Sequence, residues 1–490
     1  MAEVAGALRT TALDRRFRFA ENGTTLARDT MAGVTTFIVM SYIIFVNPAI
    51  LSFAGVEGLE GAGLPFDGVL ASTCLVAGVM TILMGLVTNR AYAIAPGLGL
   101  NAVVAFTLVA GEGLGFPEAM GIVVLEGALV TALVLVGMRE KVMEAIPLEL
   151  KKAIAIGIGL FIAFIGLVNS GLVVQGVPVV DLAPFTTWPV LVTIFGLMLT
   201  IALRAIRFRG DLLVGIIATT IFATIVNWAT DYTAFTGPGS ERYARWPDDV
   251  VAGPNFGLVG EFSFDSFATL GIITTLALVF SLFLADFFDT MGTLVGVGKQ
   301  AGYLNARGEL PGIRKPLLVD SVAAMAGGAA SSSSATTYIE SGAGVGVGGR
   351  TGWVAVVTGA LFFPFLFFAP LIGMVPPQAT APALIIVGYL MITALTESEE
   401  RAETGGRVER KIAGIDFHDL AIGLSAALTI MIMPFAFSIT DGIGFGFIAY
   451  VVIRIAQGAW QRVHPLMYAA AAAFTLYFLI PLLHDNLGWI

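Results

Sequence analysis

Apolar runs of membrane-spanning length recur along nearly the whole chain. They lie at about 31–54, 67–87, 93–111, 117–138, 150–169, 187–205, 211–230, 268–298, 316–330, 335–348, 351–374, 379–396, 417–436 and 441–457, with a further one at 466–486. A helix needs about 20 apolar residues to cross a bilayer, and within lipid only helices or closed barrels satisfy every backbone polar group. A chain with so many such runs is expected to be an all-α integral membrane protein. Of its 490 residues 57% are hydrophobic and 12% charged, with a mean hydropathy of +0.88, against about 25% charge in soluble domains. Roughly 280 apolar residues fill about fourteen spans, which excludes a single-anchor protein.

Charge sets the expected orientation, because Lys and Arg accumulate in cytoplasmic loops. Residues 1–30 carry Arg9, Arg15, Arg16, Arg18 and Arg28 without the apolar core of a secretory signal, and read as a cytoplasmic segment. The loops expected inside hold Arg90; then Arg139, Lys141, Lys151 and Lys152; then Arg204, Arg207 and Arg209; then Lys299, Arg307, Arg314 and Lys315; then Arg350; then Arg401, Arg407, Arg410 and Lys411. The intervening loops near 55–66, 109–116, 170–186, 331–334 and 370–378 carry neither Lys nor Arg. In the long loop 231–266, expected outside, Arg242 and Arg245 are outnumbered by acids. Arg454 and Arg462 return to the inside after fourteen spans, which leaves 466–486 as either a fifteenth span or an interfacial helix.

Two runs are unlike ordinary spans: 91-AYAIAPGLGLNAVVAF-106 and 331-SSSSATTYIESGAGVGVGG-349. Proline removes a backbone donor and clustered glycines weaken helix, so each is expected to enter the bilayer extended and become helical midway. Such breaks are tolerated only against protein or water. Each is the third run of its half if the second half begins at the eighth run, and the spacing agrees: Ser41 to Gly97 is 56 residues, Asp286 to Glu340 is 54. An odd number of spans per half makes the second repeat inverted. Paired broken helices in an inverted repeat point to a transporter site near the midplane.

Charges within spans are costly and usually functional. Glu340 precedes Ser341-Gly342, where a half-helix would present free N–H groups and the positive end of its dipole. Asp286 and Asp289 lie i, i+3 on one side of an apolar helix; the repeat register favours Asp286 as the ligand contact and gives Asp289 a structural or coupling role. Asn101 closes the motif 96-PGLGLN-101 and offers both a donor and an acceptor, for a ligand or for another helix. Thr336, Thr337 and Tyr338 are placed to cap or line the second break. Asp320, after Arg314 and Lys315, is read as a salt-bridging or helix-start residue, Glu126 as a partner for a backbone or hydroxyl group across the bundle, and the glycines of GAGVGVGG as close packing.

Other chemistries find no support. A net charge of −9 and pI near 5.0 argue against nucleic acid as a partner. The single cysteine, Cys74, allows no intrachain disulfide or Cys/His metal pattern. No cofactor motif occurs, GxxxxGK[ST] included, and His418, His464 and His484 lie away from any midplane. Acids in the site disfavour an anion carrier, and Asp286 and Asp289 on a single helix, with no HExxH motif, do not make an intramembrane protease.

The motifs 92-YAIAPGLGLNA-102, 285-ADFFDTMGTLVGVG-298 and 336-TTYIESGAGVGVGGRTG-352 resemble those of the azaguanine-resistance-type purine permeases, the adenine, guanine and hypoxanthine branch of the nucleobase transporter superfamily. The resemblance runs over about residues 15–480. It implies fourteen spans in two inverted repeats of seven. A core domain would comprise spans 1–4 (31–138) and 8–11 (267–374), and a gate domain spans 5–7 (150–230) and 12–14 (379–457). It also implies proton-coupled nucleobase uptake, with the base held by Asp286, Glu340 and Asn101; the residue reading adds Thr337 to the base contacts and assigns the proton to Asp286, Asp289 and Glu340. Val103-Val104 departs from the pattern, standing where an aromatic residue is expected, so the stacking partner is open; Phe283, Phe287 and Phe288 are candidates. One carboxylate can accept two N–H groups from the edge of a base, and neighbouring carboxylates resist simultaneous ionisation. The partners expected are a purine nucleobase, a proton and the lipid bilayer of the cell membrane, with monomer and homodimer both open.

Overall fold

The computed structural model describes residues 12–487 apart from 57, 60, 138–144, 178, 236–239, 241, 306–309, 395–398, 401–409 and 412–414. Arg9, Arg139, Lys141, Arg307, Arg401 and Arg407 of the charge pattern lie outside the described residues. The apolar runs form helices, as backbone satisfaction in lipid demands. Among the described residues eight helices are long and apolar enough to cross a membrane, from Leu26–Leu51 to Ile439–Ala456, and five shorter apolar helices accompany them. The chain is a multi-pass membrane protein.

Both broken segments begin extended. Ile94–Pro96 and Ala335–Thr337 pair as antiparallel strands, with Ile94 opposite Thr337, Ala95 opposite Thr336 and Pro96 opposite Ala335. Extended chain in lipid would leave its amides bare; here each break satisfies the other. The pairing continues at both ends, where the Gly97 amide donates to the Ser334 carbonyl and the Tyr338 amide to that of Ala93, each at 2.9 Å. Close approach requires glycine at 97, since a Cβ there would lie 2.8 Å from Thr336 Cγ2. A short helix starts beyond each strand, Leu98–Ala102 after Gly97 and Ser341–Gly346 after Glu340. The first continues as a π-helical stretch, Val103–Gly111. The first span is also divided, into Leu26–Met40 and Ile43–Leu51, at Ser41-Tyr42.

The glycines after Glu340 pack tightly, as expected: a Cβ on Gly344 would stand 2.2 Å from Thr36 Oγ1 and 2.6 Å from the Ala32 carbonyl of the first span. The loops segregate to two ends. At one end Asn89 Nδ2 donates to the Phe17 carbonyl (3.1 Å), the Gly352 amide to Asn89 Oδ1 (3.0 Å) and Tyr303 Oη to the Arg350 carbonyl (2.8 Å). At the other the long loop 231–266 is held by Asn255 Nδ2 to Asp67 Oδ2 (3.0 Å), the Ser263 amide to the Pro117 carbonyl (2.9 Å) and the Ala244 amide to that of Met374 (2.8 Å). Arg90, which donates to the Pro311 carbonyl, and Arg350 lie at the first end.

Residues 24–29, read from sequence as part of a lead-in, belong to the bundle. Asp29 is fully buried and accepts from Thr24 Oγ1 (2.6 Å), the Arg350 amide (3.1 Å), and the amide (3.1 Å) and hydroxyl of Thr351. The C-terminal apolar run is a helix, Pro465–Leu487, that buries Met467, Ala470, Ala471 and Phe474. Phe474 meets the rings of Phe280 and Phe447, on helices Gly271–Gln300 and Ile439–Ala456.

Candidate functional site

Glu340 is the residue at which the second break becomes helix, and its carboxylate is not spent on capping. Oε1 accepts a 2.6 Å bond from Tyr42 Oη, at the division of the first span. Tyr338, two residues earlier, sends its hydroxyl to the Pro96 carbonyl, so one tyrosine locks the strand crossing and another holds the acid beside it. The helix Gly271–Gln300 contributes both aspartates. Asp289, partly exposed, is close enough to Glu340 and Asp320 for their charges to interact. Asp286, one turn earlier, is wholly enclosed. Arg204 and Asp211, paired at 2.8 Å, add their field at Glu340.

Asn101 is fully buried on the first half-helix, and neither its Oδ1 nor its Nδ2 has a hydrogen-bond partner. A buried carboxamide left so costs about 1–3 kcal/mol per group, a cost that a ligand presenting both a donor and an acceptor removes. Thr337 is differently placed. Its amide (2.8 Å) and hydroxyl (2.7 Å) both donate to Asp320 Oδ1, so it can offer a ligand only acceptor lone pairs.

Asp320 corrects its sequence reading. It lies buried within helix Arg314–Ala329 and, besides Thr337, accepts from Thr290 Oγ1 at 2.6 Å. It anchors the strand that leads to Glu340 and sits within its helix, not at the start. Glu126 is buried and accepts from Ser334 Oγ at 3.3 Å, as a hydroxyl partner across the bundle requires. Phe283, Phe287 and Phe288 are buried and pack on one another, with neighbouring centroids 5.6 Å apart. Tyr42 was missed by the sequence reading; its signal was its place beside Ser41, the residue that marks the repeat register. Among the described residues no group of three His, Cys, Asp or Glu is placed to hold a metal ion.

Two acids from different elements and a hydrogen-bonded tyrosine thus stand beside the crossing of the two broken segments, and a bare, buried carboxamide lies on the half-helix of the first. Known proteins can be set beside this geometry. The sequence model of the Permease family (Xan_ur_permease) matches residues 28–414. The adenine permease AdeQ of Escherichia coli (strain K12) is 35% identical over 472 residues, 96% of each chain. The guanine/hypoxanthine permease PbuG of Bacillus subtilis (strain 168) is 37% identical over 465 residues, 94% of this chain and 98% of its own. In fold, the chain is similar to the transmembrane domain of the cyanobacterial bicarbonate transporter BicA, with a TM-score of 0.56 at 15% identity, covering 87% of this chain and 97% of that one. The extent of these matches places the chain in the permease family, within the branch of the adenine and guanine/hypoxanthine permeases, as a transporter and not an enzyme.

Proposed function

We propose that this protein imports purine nucleobases by proton symport, alternating the access of one central site between the two sides of the cell membrane. The observation that carries the reading is the Glu340 carboxylate at the crossing of the two breaks, with Asp289 in electrostatic reach and the unpartnered Asn101 on the opposing half-helix. A purine displays N–H donors and ring-nitrogen acceptors on its edges. Glu340 and Asp286 accept N–H groups, the charge-assisted and stronger kind of bond; Asn101 completes the pattern with its donor and acceptor, and Thr337 adds a lone pair. Glu340 and Asp289 cannot comfortably both be charged, so the pair takes up a proton and titrates as a unit. Loading the site with a proton and a base together makes them travel together.

The architecture proposed is fourteen spans in two inverted repeats, with core segments 31–138 and 267–374 carrying the site past gate segments 150–230 and 379–457. The paired breaks support that arrangement, because each supplies the same strand-then-helix element from its own half. The alternation of Lys and Arg between successive loops supports a cytoplasmic N-terminus. The names of the relatives, adenine and guanine/hypoxanthine permeases, support the substrate class.

The test is equilibrium binding of radiolabelled adenine, guanine and hypoxanthine to purified protein and to Glu340→Gln. The amide keeps the size of the side chain but turns a donor toward the base, leaving one buried bond unmade at about 1–3 kcal/mol. Affinity for the preferred base should fall tenfold or more. Wild-type affinity in a folded Glu340→Gln protein would refute the assignment.

A further inference from the structure

A second crevice opens at the end of the bundle away from Arg90 and Arg350, with a volume of about 420 Å³, within the usual range for small-molecule sites. Its walls come from the π-helical stretch Val103–Gly111, the turn before helix Ile439–Ala456 and the C-terminal helix Pro465–Leu487. Phe106 and Phe437 meet edge to face, centroids 5.4 Å apart, and form an apolar side. Among the described residues its lining holds no positive charge; the polar side consists of Glu112, Asp441, Tyr477 and uncharged groups. Tyr477 Oη donates to Glu112 Oε1 at 2.7 Å, and Asp441 lines the same side.

Acids around an opening are not by themselves a site. The second observation is Thr107, which lines the crevice, is 3% exposed and has a buried hydroxyl oxygen with no hydrogen-bond partner. Thr107 lies six residues beyond Asn101, whose carboxamide is also unpartnered, a rise of about 9 Å at helical spacing. Both bare polar groups thus belong to the third span, one on its half-helix and one on the wall of the crevice. The stretch between them is π-helical, a rare form that recurs at functional sites.

We propose that this crevice is an outer subsite for the same class of ligand, a planar heterocycle rich in N–H donors, which pauses there before passing along the third span to the central site. Its carboxylates accept N–H groups, Thr107 bonds the ring edge, and Phe106 and Phe437 provide the apolar contact. An anion is repelled by the two acids. The inference rests on the purine reading of the central site.

The test uses the full-length protein in nanodiscs, with adenine, guanine and hypoxanthine as probes in saturation-transfer NMR and equilibrium binding. Wild type should show a tight class and a second, roughly hundredfold weaker one. Glu340→Gln should weaken the tight class and leave the other. Adding Thr107→Val or Glu112→Gln in that background should weaken the remaining class tenfold or more. Asp286→Asn serves as a second background should Glu340→Gln fold poorly. A single class in wild type, or a weak class indifferent to both Thr107→Val and Glu112→Gln, overturns the subsite while leaving the central reading intact. Absence of any purine binding by wild type overturns the central reading itself.

Discussion

Removing the Asp320 carboxylate tests whether this acid positions the site or belongs to it. Three donors converge on it: the amide and hydroxyl of Thr337 on Oδ1 and the hydroxyl of Thr290 on Oδ2. In Asp320→Asn, Oδ1 keeps both Thr337 bonds, and the new amide faces Thr290. That hydroxyl can turn its hydrogen to Thr336 Oγ1, 2.6 Å away, and accept from the amide instead. Charge assistance is lost and the Thr336 hydrogen must turn to another acceptor; since bonds to charged groups are worth about 1.5–3 kcal/mol against about 0.5–1.5 for neutral ones, the cost is about 1 kcal/mol per bond, or about 2–3 kcal/mol in all once the relief of burying a charge is set against it. In Asp320→Ala, Thr290 can again turn to Thr336, but both Thr337 donors lose their acceptor. At about 1–3 kcal/mol for each buried donor the penalty is about 2–6 kcal/mol, and it falls on the strand three residues before Glu340. Thermal stability by fluorescence-detected size-exclusion, with nucleobase binding on the same samples, separates the two. The asparagine variant should lose a few degrees and keep affinity within about fivefold; the alanine variant should lose both folding yield and binding. A stable, monodisperse Asp320→Asn protein without binding would show that this carboxylate contacts the ligand, and the positioning argument would fail.

The remaining predictions concern the span-8 acids and the orientation. Asp286→Asn should abolish high-affinity binding, whereas Asp289→Asn should keep measurable binding and lose the dependence of transport on a proton gradient, since a group beside the ligand can bias which way the core faces without holding the base; binding retained in the first and lost in the second would reverse the roles. In a Cys74→Ala background, Asp249→Cys should react with an impermeant thiol reagent applied outside intact cells and Gln457→Cys only after the cytoplasmic face is opened; labelling of both from one side would overturn the topology.

Much of this was legible in the sequence because lipid leaves few options. Apolar run length fixed the helices, and the conflict between membrane depth and a Pro- and Gly-rich composition located both breaks at Pro96 and after Ser334. What periodicity does not encode is which distant segments meet. That the breaks pair as strands, Ala95 opposite Thr336, follows from the need of each for backbone partners, but the register is tertiary. Asp320 was misassigned because neighbouring Arg314 and Lys315 suggested an ion pair, whereas the donors it serves come from Thr290 and Thr337. Tyr42 and Asp29 escaped notice for the same reason: each acts on a segment about 300 residues away, at Glu340 and at Arg350-Thr351.

The most direct test of the account is uptake of radiolabelled adenine, guanine and hypoxanthine into sodium-free proteoliposomes under an imposed inward proton gradient. The Glu340–Asp289 pair is proposed to load a proton together with the base. At least one of the three bases should therefore accumulate above its external concentration, and a protonophore should abolish the accumulation. Simple equilibration unaffected by the proton gradient, or accumulation that requires sodium, would contradict the account.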